Sequence, residues 1–322
     1  LMTTAIVLDQ IKSGKISLET EFEVSEKAWR TKGSKMFVLV KTKIKVEDLL
    51  KGIIVQSGND ACIVVAENIG GSIEGFVKIM NDKAQEWGLD QSSFTNPNGL
   101  PDPDQLMSAY DLAKLTRKII RDYPDQFAMF SLPEFTWSKI TQQNRNPLLK
   151  SFDGADGMKT GYTELSGYGI VGTAFKDQQR RIIVLNGLET HSARTREATR
   201  VMELAFSQFD TRKYFSSGQK IAQADIFMGR SPSVDLEIRN DVTFTLHVKP
   251  LNKIAAHIIY QGPLRAPLTK GDQVAVLRVT MPGQPVHEYP LYAAEDVREI
   301  GMFGKIRAGL TSLLTPPNAE DV

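Results

Sequence analysis

A chain of 322 residues, 41% hydrophobic and 24% charged, is globular material long enough for two domains with well-formed cores. Its formal charge of +1 gives no basic excess for nucleic acid, and no run approaches the roughly 18 apolar residues of a spanning helix. A single cysteine excludes an internal disulfide and a cysteine-rich metal site, and His191, His247, His257 and His287 lack metal-ligand spacing, so no metal is expected.

Leu1, Ala5, Leu8 and Ile11 form a helical stripe that is already running at residue 1 without a capping Ser, Thr, Asp or Asn. The expectation is a trimmed or fragmentary chain with residues lost upstream. Ser13-Gly14-Lys15 reads as a turn, and Thr20 to Trp29 as a loop with a short strand. Val46, Leu49, Leu50, Ile53 and Ile54 fall at i, i+3, i+4, i+7 and i+8, a buried helical face. That helix runs into Ser57-Gly58-Asn59-Asp60, where Gly58 is expected to break it and Asn59 or Asp60 to cap a second helix, Ala61 to about Asn68. Cys62, inside this apolar run, reads as a small core residue.

Ser72 opens a further helix to about Trp87, with Gly88 as its stop. Asn96 to Pro103 is turn chemistry throughout. Ser108 caps a helix through Asp122, which ends before Pro124. Strand signals follow at Phe135-Thr136-Trp137. A hairpin is predicted from Gly169 to Phe175 and Arg181 to Leu185, and His191 beyond it reads as a surface histidine. Thr195 to Phe209 reads as a helix with Val201, Leu204, Ala205 and Phe209 on one face. Helix, sheet, helix is the order of a layered α+β domain, placed at residues 1–212.

From Lys213 to residue 296 short alternating strands, such as Val242, Phe244, Leu246 and Val248, predict a small all-β sandwich or barrel. Residues 297–322 read as a tail. There Met302, Phe303, Ile306, Leu310, Leu313 and Leu314 form an apolar face opposed by Lys305 and Arg307, a pattern that suits either a membrane interface or packing on its own domain.

Two short motifs carry the chemistry. An acyl-transfer enzyme with a Ser nucleophile needs a base, a proton route to the leaving amine, and donors for the oxyanion. Ser57 suits a relay hydroxyl, Lys159 an ammonium beside it, and Asn59 an amide aimed into the same cleft. In Lys159-Thr160-Gly161, Gly161 lets a substrate backbone approach the strand edge, while Lys159 and Thr160 suit a substrate ending in a carboxylate. No Ser-x-x-Lys precedes Ser57.

Ser57-Gly58-Asn59-Asp60-Ala61-Cys62, Lys159-Thr160-Gly161 and Arg196-Glu197-Ala198 resemble the low-molecular-mass penicillin-binding proteins, the serine D-alanyl-D-alanine carboxypeptidases of the penicillin-binding protein 5 type. The resemblance covers nearly the whole chain. It implies a serine β-lactamase/DD-peptidase-like domain, an antiparallel sheet with flanking helices, followed by a small all-β domain and an amphipathic C-terminal helix. It implies that the acylated Ser and its Lys base lie just upstream of residue 1. Ser57 then resembles the proton relay, Asn59 the substrate amide anchor and Lys159 the electrostatic partner of Ser57, with Thr160 and Arg196 holding the terminal carboxylate; a solvated helix residue is the other reading of Arg196, and Arg194 and Arg200 are neighbours that could be confused with it. Tyr162 stands where relatives often have His or Thr, and its N–H would serve the oxyanion.

The implied substrate is the peptidoglycan stem pentapeptide, with β-lactams acylating the same Ser and no cofactor, metal or nucleic acid. The tail would hold the protein on the periplasmic face of the bacterial cytoplasmic membrane, and no signal peptide is expected within the residues of this chain. Two alternatives stand beside this reading. A class A β-lactamase requires a deacylating Glu, for which Glu134 is the only Glu between residues 101 and 158. A catalytically silent peptidoglycan-binding scaffold takes the missing Ser-x-x-Lys at face value.

Overall fold

The opening helix, α1 (Met2–Lys12), is buried continuously from Met2 to Leu8. A helix apolar on one stripe normally shows its other face to water, whereas α1 is wrapped on all sides and forms the axis of the first core. In this computed structural model, which describes residues 1–248, 254–281 and 285–301, the chain divides into two compact units, Leu1–Ser207 and the chain from Gln208 onward.

Around α1 pack α2 (Val46–Val55), α3 (Asn59–Gly70), α4 (Ile73–Glu86) and α5 (Ala109–Asp122). Two of these starts follow the predicted capping chemistry: Ser72 Oγ accepts the Gly75 N–H at 3.0 Å, and Ser108 Oγ accepts that of Asp111 at 3.1 Å. Where a loop was expected before Trp29, Ser25 caps a short helix, Glu26–Arg30, by accepting the Ala28 N–H.

Three antiparallel strands, β1 (Ala155–Thr163), β2 (Gly167–Lys176) and β3 (Gln179–Leu188), lie side by side in that order. Side-chain alternation gives the sheet two covered faces. Val171 and Met158 enter the helical core, while Ile170, Ala174 and Ile183 pack against Ala198 and Met202 of α6 (His191–Ser207).

This last helix corrects the sequence reading. Thr190 Oγ1 accepts the Ala193 N–H at 3.0 Å, so α6 begins at His191 and not at Thr195. Its buried line is Arg194, Ala198 and Met202. Leu204 and Phe209, placed on the inner face by sequence, are 39% and 42% exposed, and Phe209 already belongs to the next strand. Val201 and Ala205 of the predicted face do pack against this core, as flanks of the buried line.

The second unit is all-β. β4 (Phe209–Phe215) pairs antiparallel with β7 (Val242–His247). β5 (Lys220–Phe227), β6 (Ser233–Ile238), β8 (Ala255–Ile259), β9 (Leu264–Arg265), β10 (Gln273–Thr280) and β11 (His287–Ala293) form a six-stranded sheet in the order β8-β10-β11-β6-β5-β9. Val242 and Phe244 of the small sheet share one core with Leu236, Leu277, Val279 and Leu291 of the large one, which makes a sandwich. The predicted apolar face from Met302 to Leu314 lies outside the described residues. Among the described residues no helix is long and apolar enough to cross a membrane.

Candidate active site

The corner between α2 and α3 is built by backbone constraint. Gly58 occupies the N-cap position of α3, and Ser57 just before it has φ 58°, in the left-handed region. For a non-glycine residue this conformation costs about 1 kcal/mol. Two hydrogen bonds hold it, Gly58 N–H to the Gly52 carbonyl at 3.0 Å and Asn59 N–H to the Ser34 carbonyl at 2.8 Å. A Cβ on Gly58 would lie 3.1 Å from the Met36 nitrogen, so glycine is needed there for close approach rather than as the helix breaker.

Asp60 does not cap α3. It lies inside the helix, 1% exposed, and its carboxylate accepts the N–H groups of Met36 (2.8 Å), Phe37 (2.8 Å), Val38 (3.1 Å) and Ala61 (3.0 Å). Four backbone donors satisfy the buried charge and tie the segment 32–38 to the corner. Asn59 is thereby placed against the same segment, and its Nδ2 donates to the Lys32 carbonyl at 3.1 Å.

Across the cleft, β1 presents Lys159, Thr160 and Gly161. Lys159 Nζ donates to Ser57 Oγ at 3.0 Å and to the Thr160 carbonyl at 2.9 Å. Burial, with Arg145 nearby, lowers its pKa from 10.5 to about 8. At neutral pH this is an ammonium held on a serine hydroxyl and ready to exchange a proton. Gly161 faces open space, so the edge of β1 is free for an extended chain. Tyr162 is 55% exposed beyond it.

These residues line a cleft of about 680 Å³, bounded elsewhere by Ser34, the loop from Asn96 to Leu100, Arg145, Tyr168, His191 and Arg194. A cavity of this size suits a small peptide. Lys159, Arg145 and Arg194 all border it, and no Asp or Glu is among its described lining residues. Cys62 also borders the cleft, but burial pushes its thiol up to about 12, so it remains a neutral thiol. Among the described residues no cluster of His, Cys, Asp and Glu could hold a metal ion.

The predicted arginine is not brought to this site. Arg196 projects away from the cleft, with a side chain 70% exposed and paired to Glu197 at 3.2 Å. Arg194, two residues earlier and about 200° around the helix, is the one that borders the cleft, 4% exposed, with one guanidinium N–H directed at the Gly161 carbonyl at 3.5 Å. Its spacing with Ala198 and Met202 is the signal that would have found it. Arg145, held by Ser34 Oγ at 2.8 Å, carried no such signal, because it follows the strand Ile140–Gln143 in irregular chain. His191, read as a surface histidine, is exposed but stands on the rim of the cleft. Glu134 lies in the strand Glu134–Trp137, hydrogen-bonded to Gln143, and is not among the cleft residues.

A serine hydroxyl bonded to a lysine at a strand edge, in a layered α+β domain followed by a β sandwich, defines the serine DD-peptidase class of fold. The first 190 residues match the family model for D-alanyl-D-alanine carboxypeptidase, peptidase S11, and residues 209–299 match the penicillin-binding protein 5 C-terminal domain. The D-alanyl-D-alanine carboxypeptidase DacA of Haemophilus influenzae is 36% identical over 313 residues, spanning 95% of this chain and 79% of that protein. DacC of Escherichia coli is 34% identical over 314 residues, 95% of this chain and 78% of its own length. The crystal structure of penicillin-binding protein 5 from Haemophilus influenzae superposes with a TM-score of 0.82 at 35% identity, covering 92% of this chain and 88% of that one. The chain belongs to the D-alanyl-D-alanine carboxypeptidases of peptidase family S11, with a C-terminal domain of the penicillin-binding protein 5 type.

Proposed function

We propose that this chain forms the relay and substrate wall of a serine-type carboxypeptidase that removes the terminal D-Ala from peptidoglycan stem peptides through an acyl-enzyme, and that β-lactams acylate the same enzyme. The observation that carries this reading is the Ser57–Lys159 hydrogen bond of 3.0 Å in a cleft that, among the described residues, is bordered by cations and by no carboxylate. Such a cleft attracts a substrate with a free carboxylate end and repels none of its charge. The nucleophilic Ser and its Lys, in this reading, stand ahead of Leu1.

Ser57 passes a proton between that nucleophile and the leaving D-Ala amine, and the Lys159 ammonium stabilises the charge that develops on the relay. Asn59 has one amide N–H committed to Lys32, which leaves its oxygen as the group available to a substrate N–H. The stem peptide lies along the open edge at Gly161, as an added strand, and the Tyr162 N–H faces the oxyanion. Thr160 and Arg194 hold the terminal carboxylate; Arg196, ion-paired elsewhere, does not.

The test uses the full-length protein, a labelled penicillin read by intact mass, and release of D-Ala from a D-Ala-D-Ala peptide. The wild type is expected to gain one penicilloyl adduct and release D-Ala. Arg194→Gln is expected to raise KM for the peptide about tenfold, consistent with loss of a charge-assisted hydrogen bond of ~1.5 kcal/mol, while Arg196→Gln stays within twofold. A protein with no adduct and no D-Ala release refutes the enzyme reading, and equal effects of the two variants refute the assignment of Arg194.

The amphipathic pattern of residues 302–314 supports a further element of the proposal, attachment of the C-terminal tail to the periplasmic face of the cytoplasmic membrane, where the enzyme would act on the cell wall and on cell shape. Deleting residues 300–322 is then expected to abolish co-sedimentation with anionic lipid vesicles. Unchanged sedimentation of the shortened protein would count against the anchor.

A further inference from the structure

Arg194 is held in an unusual way for a buried cation. It is 4% exposed, yet among the described residues no ion pair fixes it, its Nε–H is buried without a hydrogen-bond partner, and its hydrogen bond to the Gly161 carbonyl is long at 3.5 Å. Hydrogen bonds therefore do little to set its direction. An aromatic ring does more. The Cζ of Arg194 lies 5.4 Å from the centre of the Tyr168 ring, within cation–π range.

Tyr168 is itself braced. It pairs across β1 and β2 with Tyr162, so both rings stand on one face of the sheet, with centroids 4.3 Å apart and planes at 34°. His191, at the first residue of α6, meets the same ring edge-on at 6.3 Å and 88°. Gly167 and Gly169 flank Tyr168 on β2 and add no side chain beside the ring. The guanidinium thus rests against one ring that two others brace, a rack of three, while among the described residues its remaining N–H donors are uncommitted.

We propose that Tyr168, braced by Tyr162 and His191, is the positioning residue that aims the Arg194 guanidinium into the cleft, so that preference for a free terminal carboxylate is set by a cation–π contact and not by an ion pair. This rests on the assignment of Arg194 as the carboxylate holder. A guanidinium held against a ring keeps most of its N–H donors for the substrate, whereas an acidic partner would compete for them. The rack also accounts for Tyr162 at a position with half its surface in water: its ring packs on that of Tyr168.

The experiment compares the full-length wild type with Tyr168→Phe and Tyr168→Leu on two peptides that end in D-Ala-D-Ala, one as the free acid and one as the C-terminal amide. Tyr168→Phe keeps the ring and is expected to retain kcat/KM for the acid within about twofold. Tyr168→Leu is expected to lose about tenfold, chiefly through KM, and to lower the acid-to-amide ratio of kcat/KM by a similar factor. A ratio unchanged in Tyr168→Leu, in a protein whose wild type does process the acid, overturns the rack alone. Equal losses in the Phe and Leu variants also overturn it, because they would trace the effect to the hydroxyl. A wild type that processes neither peptide overturns the carboxypeptidase reading, and the rack falls with it.

Discussion

Replacing Ser57 by Ala in the full-length protein is expected to slow D-Ala release by about 10²–10⁴-fold, the range of a lost acid–base relay, while the protein still folds. Ser57 Oγ is the acceptor of the Lys159 ammonium at 3.0 Å, and a methyl group cannot take its place in a proton relay. The change removes little packing, since Ser57 is only half-buried at a helix junction. Its backbone supplies a control. Because φ is 58°, Ser57→Gly should be as inactive as the Ala variant but more stable than it by about 1 kcal/mol. Rates of penicilloyl formation and D-Ala release, with thermal midpoints, check both. Wild-type turnover in Ser57→Ala would remove Ser57 from the mechanism.

Lys159→Met is expected to show the opposite signs for activity and stability. Activity should fall by at least the factor expected for Ser57→Ala, since the ammonium is lost from the relay. Stability should rise, because burial with Arg145 nearby holds the Lys159 pKa at about 8 against an ordinary 10.5. That lowering corresponds to about 3 kcal/mol of destabilisation at neutral pH, reduced by the hydrogen bonds to Ser57 and Thr160 that Met cannot make. Below pH 8 the folded and unfolded chains both carry the proton, and the penalty is constant. Between pH 8 and about 10.5 only the unfolded chain carries it, so wild-type stability from this group rises with pH, and Lys159→Met should lack that rise. The wild-type rate should decline as pH passes 8, where the folded ammonium is lost. Denaturant titrations across pH 7–10.5 and a pH–rate profile measure the two effects. A wild-type rate that climbs through pH 9 would contradict the role of the charged form.

The fold was legible wherever local physics decided it. Val46 to Ile54 announced a helix by period, Ser72 and Ser108 by capping, and Gly169 to Leu185 a hairpin by alternation around a polar turn. The errors came where a distant element selected the outcome. Of the hydrophobic stripe Val201, Leu204, Ala205 and Phe209, only Val201 and Ala205 pack toward the sheet, and they flank a core centred on Ala198 and Met202, while Leu204 and Phe209 are exposed. Asp60 looked like a cap because Asp favours helix starts; four backbone donors, three of them more than twenty residues away, instead made it a buried anchor.

The candidate site divides along the same line. Ser57, Asn59, Lys159, Thr160 and Gly161 were visible in sequence because each belongs to a short run of specific residue types, and such runs survive without knowledge of contacts. Arg194, Arg145 and Tyr168 are single residues in ordinary surroundings, and only the cleft unites them. The sequence by itself determined the periods, turns and motifs, hence the family and the two partners of the Ser57–Lys159 hydrogen bond, because these depend on neighbours along the chain. The tertiary structure decided which arginine borders the cleft, which ring it lies beside and what anchors the corner beneath Ser57, because a side chain's direction is set by long-range packing that no local pattern encodes.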